Sequence, residues 1–528
     1  MCSLERRIPV NNKSLAIRGV VWTSASHVIS IAMTFFVTPI LLRTLGAEQY
    51  GIWSIVIALT GYYGLVNMGI GKANTKYIAQ FDAVGDTKAV REVMSTGLAI
   101  FSLLAVVVLA VAGGVAWLFP YLFDLGDYPI PLARWIVMLT GLKVAVNLIG
   151  QVFAAGVGAR KRFDLTNSLL CTRLILTGTL TILVVVSGGG LLGMALVVLG
   201  TAILFRAGIC FLAIRVAGLP RPSLGGFNRD TGKMLFRFGL LNLVIQIVRR
   251  TSLVGGSLIL GLFAGPVAVA YYSVAESLTR KSLSLGKTIN YVVMPFASQF
   301  DAQSDRYALK RLMVLPTRLL LTLALLITAV LLILGKSFLT LWISPEIAAN
   351  VYPVICILCL SLLVKLPTNG LQSTLTGMGR MTFLSRVAIG EGVTMLILGI
   401  ILTPLYGTLG MASAVLISQL VFSGLLLPIY ACRDIGYSMR RFALSTIGPG
   451  LLAVLPAMSA ALVLAHYFPA PSLIVLLMQI SLLCLLTGAC AFFICLDASL
   501  RKDILRSAAR LSSGRSTPMS TAVHDATK

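Results

Sequence analysis

Two adjacent arginines, Arg249 and Arg250, stand in the middle of an apolar run from 239 to 262. A guanidinium meets the oxygens of a phosphate bidentately, so cations so placed suit a phosphate-bearing anion. The next apolar run carries Glu276, Arg280 and Lys281; Glu276 and Arg280 are four apart, the spacing at which opposite charges meet on one helix face. Lys143 and Lys365 each lie mid-run in a Lys…Asn…Gln pattern, Lys143, Asn147, Gln151 and Lys365, Asn369, Gln372. Against these cations stand only two deep acids, Glu276 and Glu391. Each charge inside an apolar segment costs about 3 kcal/mol on insertion scales, which is why such groups line a cavity or pair. The surplus is positive, and a diphosphate fits it.

Each of these residues also has a structural reading. Glu276 and Arg280 could simply fix two helices as a buried pair. Arg249 and Arg250 point about 100° apart on a helix, so one of them can face a ligand while the other does not. Lys143 and Lys365 have stems long enough to snorkel to an interface. Lys72 and Lys76 sit at the end of an apolar run, where they read as topology charges that could also receive an incoming diphosphate. His27 is a helix-packing hydrogen-bond partner or a proton carrier. Glu391, between Gly390 and Gly392, is a helix-contact residue or a proton-coupling acid, as is Glu276 if ions are coupled.

Positioning such groups requires long apolar helices. The chain has 528 residues, 57% hydrophobic and 12% charged, with a mean hydropathy of +0.93. That surface suits a bilayer, not water. Apolar stretches of about 17 to 25 residues predict spans near 19–42, 51–71, 93–118, 133–155, 165–187, 191–214, 239–262, 266–294, 313–335, 351–373, 385–403, 408–431, 444–466 and 472–496. The fold class is therefore all-α: a polytopic membrane protein of about fourteen helices. The first run is preceded by a polar stretch to Arg18 and lacks a small-residue cleavage site, so it reads as a retained span.

The net charge of +25 could mark nucleic-acid binding, but position decides otherwise. With the first span running outward, Arg6, Arg7, Lys13 and Arg18, then Lys72, Lys76, Lys88 and Arg91, then Arg160–Arg162, and later Arg306, Arg380 and Arg440 all fall on the inside. Outside fall Arg43, Arg134 and Lys336. This is the positive-inside pattern of a multi-pass protein with both termini cytoplasmic, and it needs no nucleic-acid partner. Seven of the nine cysteines lie in apolar runs as small hydrophobes, and the Cys356–Cys359 pair has no companion cluster, so neither disulfides nor metal are expected. No GxxxxGK[ST] loop is present, so no fused ATPase is expected.

The chain also repeats itself. LGMA opens at 192 and again at 409, and LRTLGAEQYGIWSIVIAL from Leu42 parallels LGLFAGPVAVAYYSVAESL from Leu260. The offset is roughly 220 residues and six helices, an even number, so the copies share one orientation about an axis along the membrane normal. The organisation that follows is a cytoplasmic segment 1–18, a first six-helix lobe 19–217, a linker 218–238, a second six-helix lobe 239–431, two further helices within 444–496 and a disordered tail 497–528.

LRTLGAEQYGIWS at 42–54, GIGKANTKYIAQ at 69–80 and GARKRF at 158–163, with the fourteen-span count, carry a family likeness over residues 15 to 496. The chain resembles the polysaccharide and O-antigen flippases of the multidrug, oligosaccharidyl-lipid and polysaccharide exporter superfamily. That resemblance implies two six-helix lobes around a central cavity, plus two extra C-terminal helices. It implies alternating-access transfer of undecaprenyl-diphosphate-linked oligosaccharide to the outer leaflet of the bacterial inner membrane, for O-antigen, exopolysaccharide or capsule synthesis. Partners would be the lipid-linked oligosaccharide, the bilayer and other polysaccharide-synthesis membrane proteins. No cofactor is implied, and the transfer could couple to the membrane potential, H+ or Na+. Moving two negative charges outward gains about 4.6 kcal/mol per 100 mV.

Two other classes compete. A membrane polysaccharide polymerase or glycosyltransferase would need an external domain to hold sugar, but the longest external connections, 119–132 and 336–350, are about 15 residues. They offer only Asp124, Asp127 and Glu346 as acids. A drug or cation antiporter of the same superfamily would keep an acid deep in the first six spans, and none is there. A peptidoglycan-precursor flippase shares every coarse feature. The reading is a transporter and not an enzyme.

Overall fold

The computed structural model describes residues 10–67, 69–286, 289–498, 500–502 and 505–506, with side chains described except at 10–20, 65–66, 163, 224, 238–253, 285 and 289–292. Among the described residues there is no strand. The helices are α1 (Val10–Tyr63), α2 (Ile70–Ala83), α3 (Thr87–Leu122), α4 (Ile130–Ala159), α5 (Phe163–Val186), α6 (Gly190–Phe211), α7 (Arg229–Phe263) and α8 (Gly265–Leu285). They continue as α9 (Ile289–Ala302), α10 (Arg306–Ile333), α11 (Gly335–Trp342), α12 (Pro345–Gly377), α13 (Met381–Gln419), α14 (Leu427–Ile435), α15 (Met439–Tyr467) and α16 (Leu473–Ile494).

Each of the fourteen predicted spans overlaps these helices, although 51–71 runs past the end of α1 into α2 and 266–294 runs from α8 into α9. Ten described segments are long and apolar enough to cross a membrane, and two of them, Val21–Tyr63 and Met381–Ile435, each hold two predicted spans. The breaks within them are Gly46 (φ 77°) and Gly407 (φ 54°), in the left-handed region that costs a residue with a Cβ about 1 kcal/mol or more. The predicted span eight, on α8, carries Glu276, Arg280 and Lys281 and is too rich in charge to count by composition; of the predicted span seven, on α7, the described side chains begin at Val254, and Val254–Phe263 is apolar. Large apolar side chains such as Leu103, Trp117, Leu183, Leu204, Leu405 and Leu485 are exposed, as lipid-facing positions must be.

The internal repeat is visible in the backbone. Gly46 before the second predicted span and Gly265 before the eighth share φ values of 77° and 78°. About 220 residues separate each of the following pairs, as a duplicated half requires. Asp86 caps α3 by accepting from the Ala89 N–H at 2.9 Å, and Asp305 caps α10 by accepting from the Ala308 N–H at 2.9 Å. Gly85 and Ser304, just before those caps, both adopt positive φ. Short helices of 14 residues, α2 and α9, precede them. A π-helical segment also falls late in each set of six, Leu212–Val216 and Leu420–Leu426, at the shorter offset of 208 residues.

By packing, the described chain forms two compact units. One comprises the chain up to Lys281 with Leu339–Leu358 and Ser385–Phe422; the other comprises Ser282–Phe338, Cys359–Leu384 and the chain from Ser423 on. The first has a core of α2, α3 and α4 that includes Ile70, Ile78, Met94, Phe101 and Leu148. Arg160 locks it by an ion pair to Asp82 at 2.8 Å and by donating to the Ala217 carbonyl. The core of the second gathers Leu309, Met313, Leu371, Leu375, Leu427 and Phe442. Arg380 pairs there with Asp434 at 3.0 Å, and that carboxylate raises the arginine's pKa above its ordinary value. Arg318 reaches from α10 to the carbonyls of Ser445 (2.7 Å) and Cys495 (2.9 Å). The last two helices are thus pinned to α10 through hydrogen bonds from a charged donor, a stronger class than neutral ones.

Candidate functional site: cations at membrane depth

α8 begins at Gly265–Pro266, where proline's fixed φ suits the first turn, and carries the charges of the predicted eighth span. Glu276 and Arg280 meet as the i,i+4 ion pair that their spacing called for. Tyr272, one turn before Glu276, is buried. Lys281 points to α1, where its Nζ donates to Ser30 Oγ at 2.9 Å. The side chains of Arg249 and Arg250, on α7, lie outside the described residues.

Lys143 lies half-buried on α4, one turn from Asn147. Lys365 lies at the equivalent place on α12 and donates to Ser423 Oγ at 3.0 Å. Lys72 and Lys76 are exposed, one turn apart on α2. His27 is exposed on α1. Glu391 is buried in α13, and the neighbouring Gly390 leaves room for the Phe422 ring, which a Cβ there would strike. Of the predicted residues the structure therefore brings Glu276 to Arg280, whereas Lys281 and Lys365 go to serines.

Three deep arginines escaped the sequence reading: Arg173 on α5, Arg206 on α6 and Arg318 on α10. Each sits in a run otherwise so apolar that the window average hides it. A tally of every ionisable residue inside each span would have found them. Arg318 is structural, as above. Arg206 Nε donates to Asn147 Oδ1 on α4 at 2.8 Å, and the guanidinium carbons of Arg173 and Arg206 lie 5.1 and 5.4 Å from the centre of the Phe205 ring.

The first unit is held together at the end of its helices remote from Lys72 and Arg160. Arg43, predicted as one of three outside charges, donates from Nε to the Ile343 carbonyl at 2.7 Å and from Nη2 to the Trp342 carbonyl at 3.3 Å. The Trp342 indole N–H donates to the Phe35 carbonyl at 2.8 Å, and its ring stacks on the Phe35 ring, 5.5 Å between centres. Gly51 presses on the backbone of Pro266, leaving no space for a Cβ.

The fold has solved counterparts. The chain superposes on the lipid II flippase MurJ in an inward closed conformation with a TM-score of 0.72, at 13% identity, over 92% of this chain and 100% of that one. An inward-facing multidrug resistance MATE family transporter of the MOP superfamily matches with a TM-score of 0.62 at 15% identity, over 79% of this chain and 99% of that one. Among curated proteins, the uncharacterized membrane protein EpsK of Bacillus subtilis (strain 168) is 21% identical over 441 residues, 81% of this chain and 85% of that protein. Residues 16–301, more than half of the chain, match the polysaccharide biosynthesis protein family, and the chain belongs to that family.

Proposed function

We propose that the protein is a flippase that carries an undecaprenyl-diphosphate-linked oligosaccharide from the inner to the outer leaflet of a bacterial inner membrane, for surface polysaccharide synthesis. The observation that carries this reading is the surplus of cations at membrane depth. Lys143, Arg249, Arg250, Arg280, Lys281 and Lys365, joined by Arg173 and Arg206, stand against Glu276 and Glu391, and Glu276 is already spent on Arg280. Such a surplus is tolerated where an anion visits. In this reading the six-helix lobes 19–217 and 239–431 rock about a cationic cavity, with both termini cytoplasmic. Lys72 and Lys76 receive the diphosphate, and the two charges move outward on about 4.6 kcal/mol per 100 mV. Glu276, Glu391 and His27 are the groups available to couple H+ or Na+, and partner synthesis proteins hand over the glycan. The protein acts as a transporter, with no covalent step of its own. The likeness to the lipid II flippase supports a second reading, a peptidoglycan-precursor cargo, which shares the diphosphate and differs in the glycan.

The test is transfer of a labelled undecaprenyl-diphosphate glycan to the outer leaflet of proteoliposomes or spheroplasts. Arg280→Gln, Lys281→Gln, Lys365→Gln and the double Arg249→Gln/Arg250→Gln variant should lose transfer while keeping wild-type membrane levels. Normal transfer by every variant would sink the cationic-site reading. Transfer of lipid II in preference to the oligosaccharide would favour the second cargo.

A further inference from the structure

Arg173 and Arg206 are set at one level of the membrane. α5 starts directly after the basic run Arg160–Arg162, and α6 leads into the segment carrying Arg215 and Arg221. Counting inward from that basic end, each arginine stands about ten residues along, near 15 Å at 1.5 Å per residue. That is about half of a 30 Å hydrocarbon layer.

Their immediate surroundings offer no counter-charge. Among the described residues, neither arginine forms an ion pair, and the one hydrogen bond between them is that from Arg206 Nε to Asn147. The Phe205 ring, itself buried, lies against both guanidinium groups. Gly150 on α4 takes the stem of Arg206, where a Cβ would collide with Cδ, so the stem is held while the head projects. Both arginines are only half-buried. What remains is a set of fork donors, Nη1 and Nη2 of Arg206 and all three nitrogens of Arg173, gathered about one ring and open to a ligand. Two like charges held together at that depth are stabilised by an anion with several acceptor oxygens, and planar guanidinium forks match phosphate above other anions.

We propose that Arg173 and Arg206 form a phosphate clamp at mid-membrane depth, taking the phosphate of a lipid headgroup with Phe205 as its wall. The clamp is carried by α5 and α6, whereas the charges named from the sequence lie on other helices. The phosphates of resting phospholipids lie at the interface, whereas a phosphate at half-depth is one in passage. The clamp is therefore a station for the carried lipid diphosphate, and in that respect alone it rests on the flippase reading.

The experiment measures binding of two probes, undecaprenyl diphosphate and phosphatidylglycerol, to the purified full-length protein. The variants are Arg173→Gln, Arg206→Gln and Arg206→Lys, with Lys281→Gln alongside. Each Gln variant should lose about tenfold or more of its affinity for undecaprenyl diphosphate. Arg206→Lys, which keeps the charge and loses the fork, should recover only part of it. Loss confined to phosphatidylglycerol would assign the phosphate to the surrounding bilayer and overturn the station. Unchanged binding of both probes, in variants whose thermal unfolding matches the wild type, would overturn the clamp. If the intact protein transfers no glycan yet binding still depends on Arg173 and Arg206, the failure falls on the flippase reading and not on the clamp.

Discussion

Replacing Gly51 by alanine should pry apart the end of the first unit that Arg43 and Trp342 hold together. A Cβ at Gly51 would lie far inside 3.0 Å of the Pro266 carbonyl oxygen, with the Pro266 Cα at 3.0 Å. The obstacle is backbone at the start of α8, so no rotamer change relieves it, and the two helices must part by roughly an ångström to restore ordinary contact. Overpacking of this kind costs about 1–3 kcal/mol, equivalent to about a 5- to 140-fold shift toward a parted arrangement. The shift can be read by spin labels at Asp127 and Glu346, both exposed near that end, in a cysteine-free background. The distance distribution should broaden to longer separations in Gly51→Ala. Gly261→Ala is the comparison, because its Cβ would meet Ile55 Cδ1 at 3.0 Å and Phe123 Cδ1 at 3.1 Å. Those are side-chain tips that can yield, so the effect should be smaller. An unchanged distribution in Gly51→Ala, or equal effects of the two substitutions, would refute the reasoning.

Trp342→Phe keeps a ring to stack on Phe35 but loses the N–H donated to its carbonyl; it should weaken the same end by about 1 kcal/mol, visible in the same label pair. Arg318→Gln removes the bonds to Ser445 and Cys495 and should cost about 2–4 kcal/mol, read as a lower thermal midpoint in detergent and faster proteolysis near α15 and α16. Asp82→Asn breaks a pair whose members are 29% and 27% exposed; screening holds the loss to about 1 kcal/mol, measured by thermal unfolding at two salt concentrations. Gly150→Ala should displace Arg206 and so mimic Arg206→Gln in undecaprenyl diphosphate binding while leaving Lys281-dependent binding intact.

The sequence made the helices legible because a membrane span is a long apolar run, a signal that survives averaging over 17 to 25 residues. It also exposed the duplication, since Gly46 and Gly265, and the aspartate caps Asp86 and Asp305, are demanded by backbone geometry at the same place in each half. Glu276–Arg280 was legible for the same reason: i,i+4 proximity belongs to any helix. The partners of Lys281 and Lys365 were not, because Ser30 and Ser423 lie far off in sequence, and serines in a span carry no distinguishing signal. Nor was the role of Arg43 legible: it read as one of three outside charges, whereas its guanidinium meets the backbone carbonyls of Trp342 and Ile343, far off in sequence. Arg173 and Arg206 were hidden by their own surroundings, since averaging over a strongly apolar window erases a single charge.

The two halves share a scaffold but not its charges, and the difference is systematic. In the first half α4 and α6 are joined by Arg206 donating to Asn147. In the second half the corresponding joint is Lys365 of α12 donating to Ser423, at the start of the chain that follows α13. The LGMA recurrence sets Ser423 opposite Arg206, and the Lys…Asn pattern sets Lys365 opposite Lys143. The same helix pair is thus stitched by a cation from the sixth span in one half and from the fourth in the other. Glu391 of α13, moreover, stands within about a residue of the place that Arg173 holds in α5, by the same register. A scaffold needing only mechanical symmetry would tolerate the same stitch twice. The first half instead concentrates positive charge where the second keeps a buried carboxylate, and under the proposed flippase reading such a gradient would give an anionic headgroup a preferred side. Transplanting the pattern therefore separates scaffold from chemistry: Arg206→Ser should leave the fold standing, as Ser423 does in its own half, while removing phosphate binding. If Arg206→Ser instead unfolds the protein in detergent at a temperature where the wild type is intact, the arginine is part of the scaffold and the asymmetry has no bearing on the headgroup.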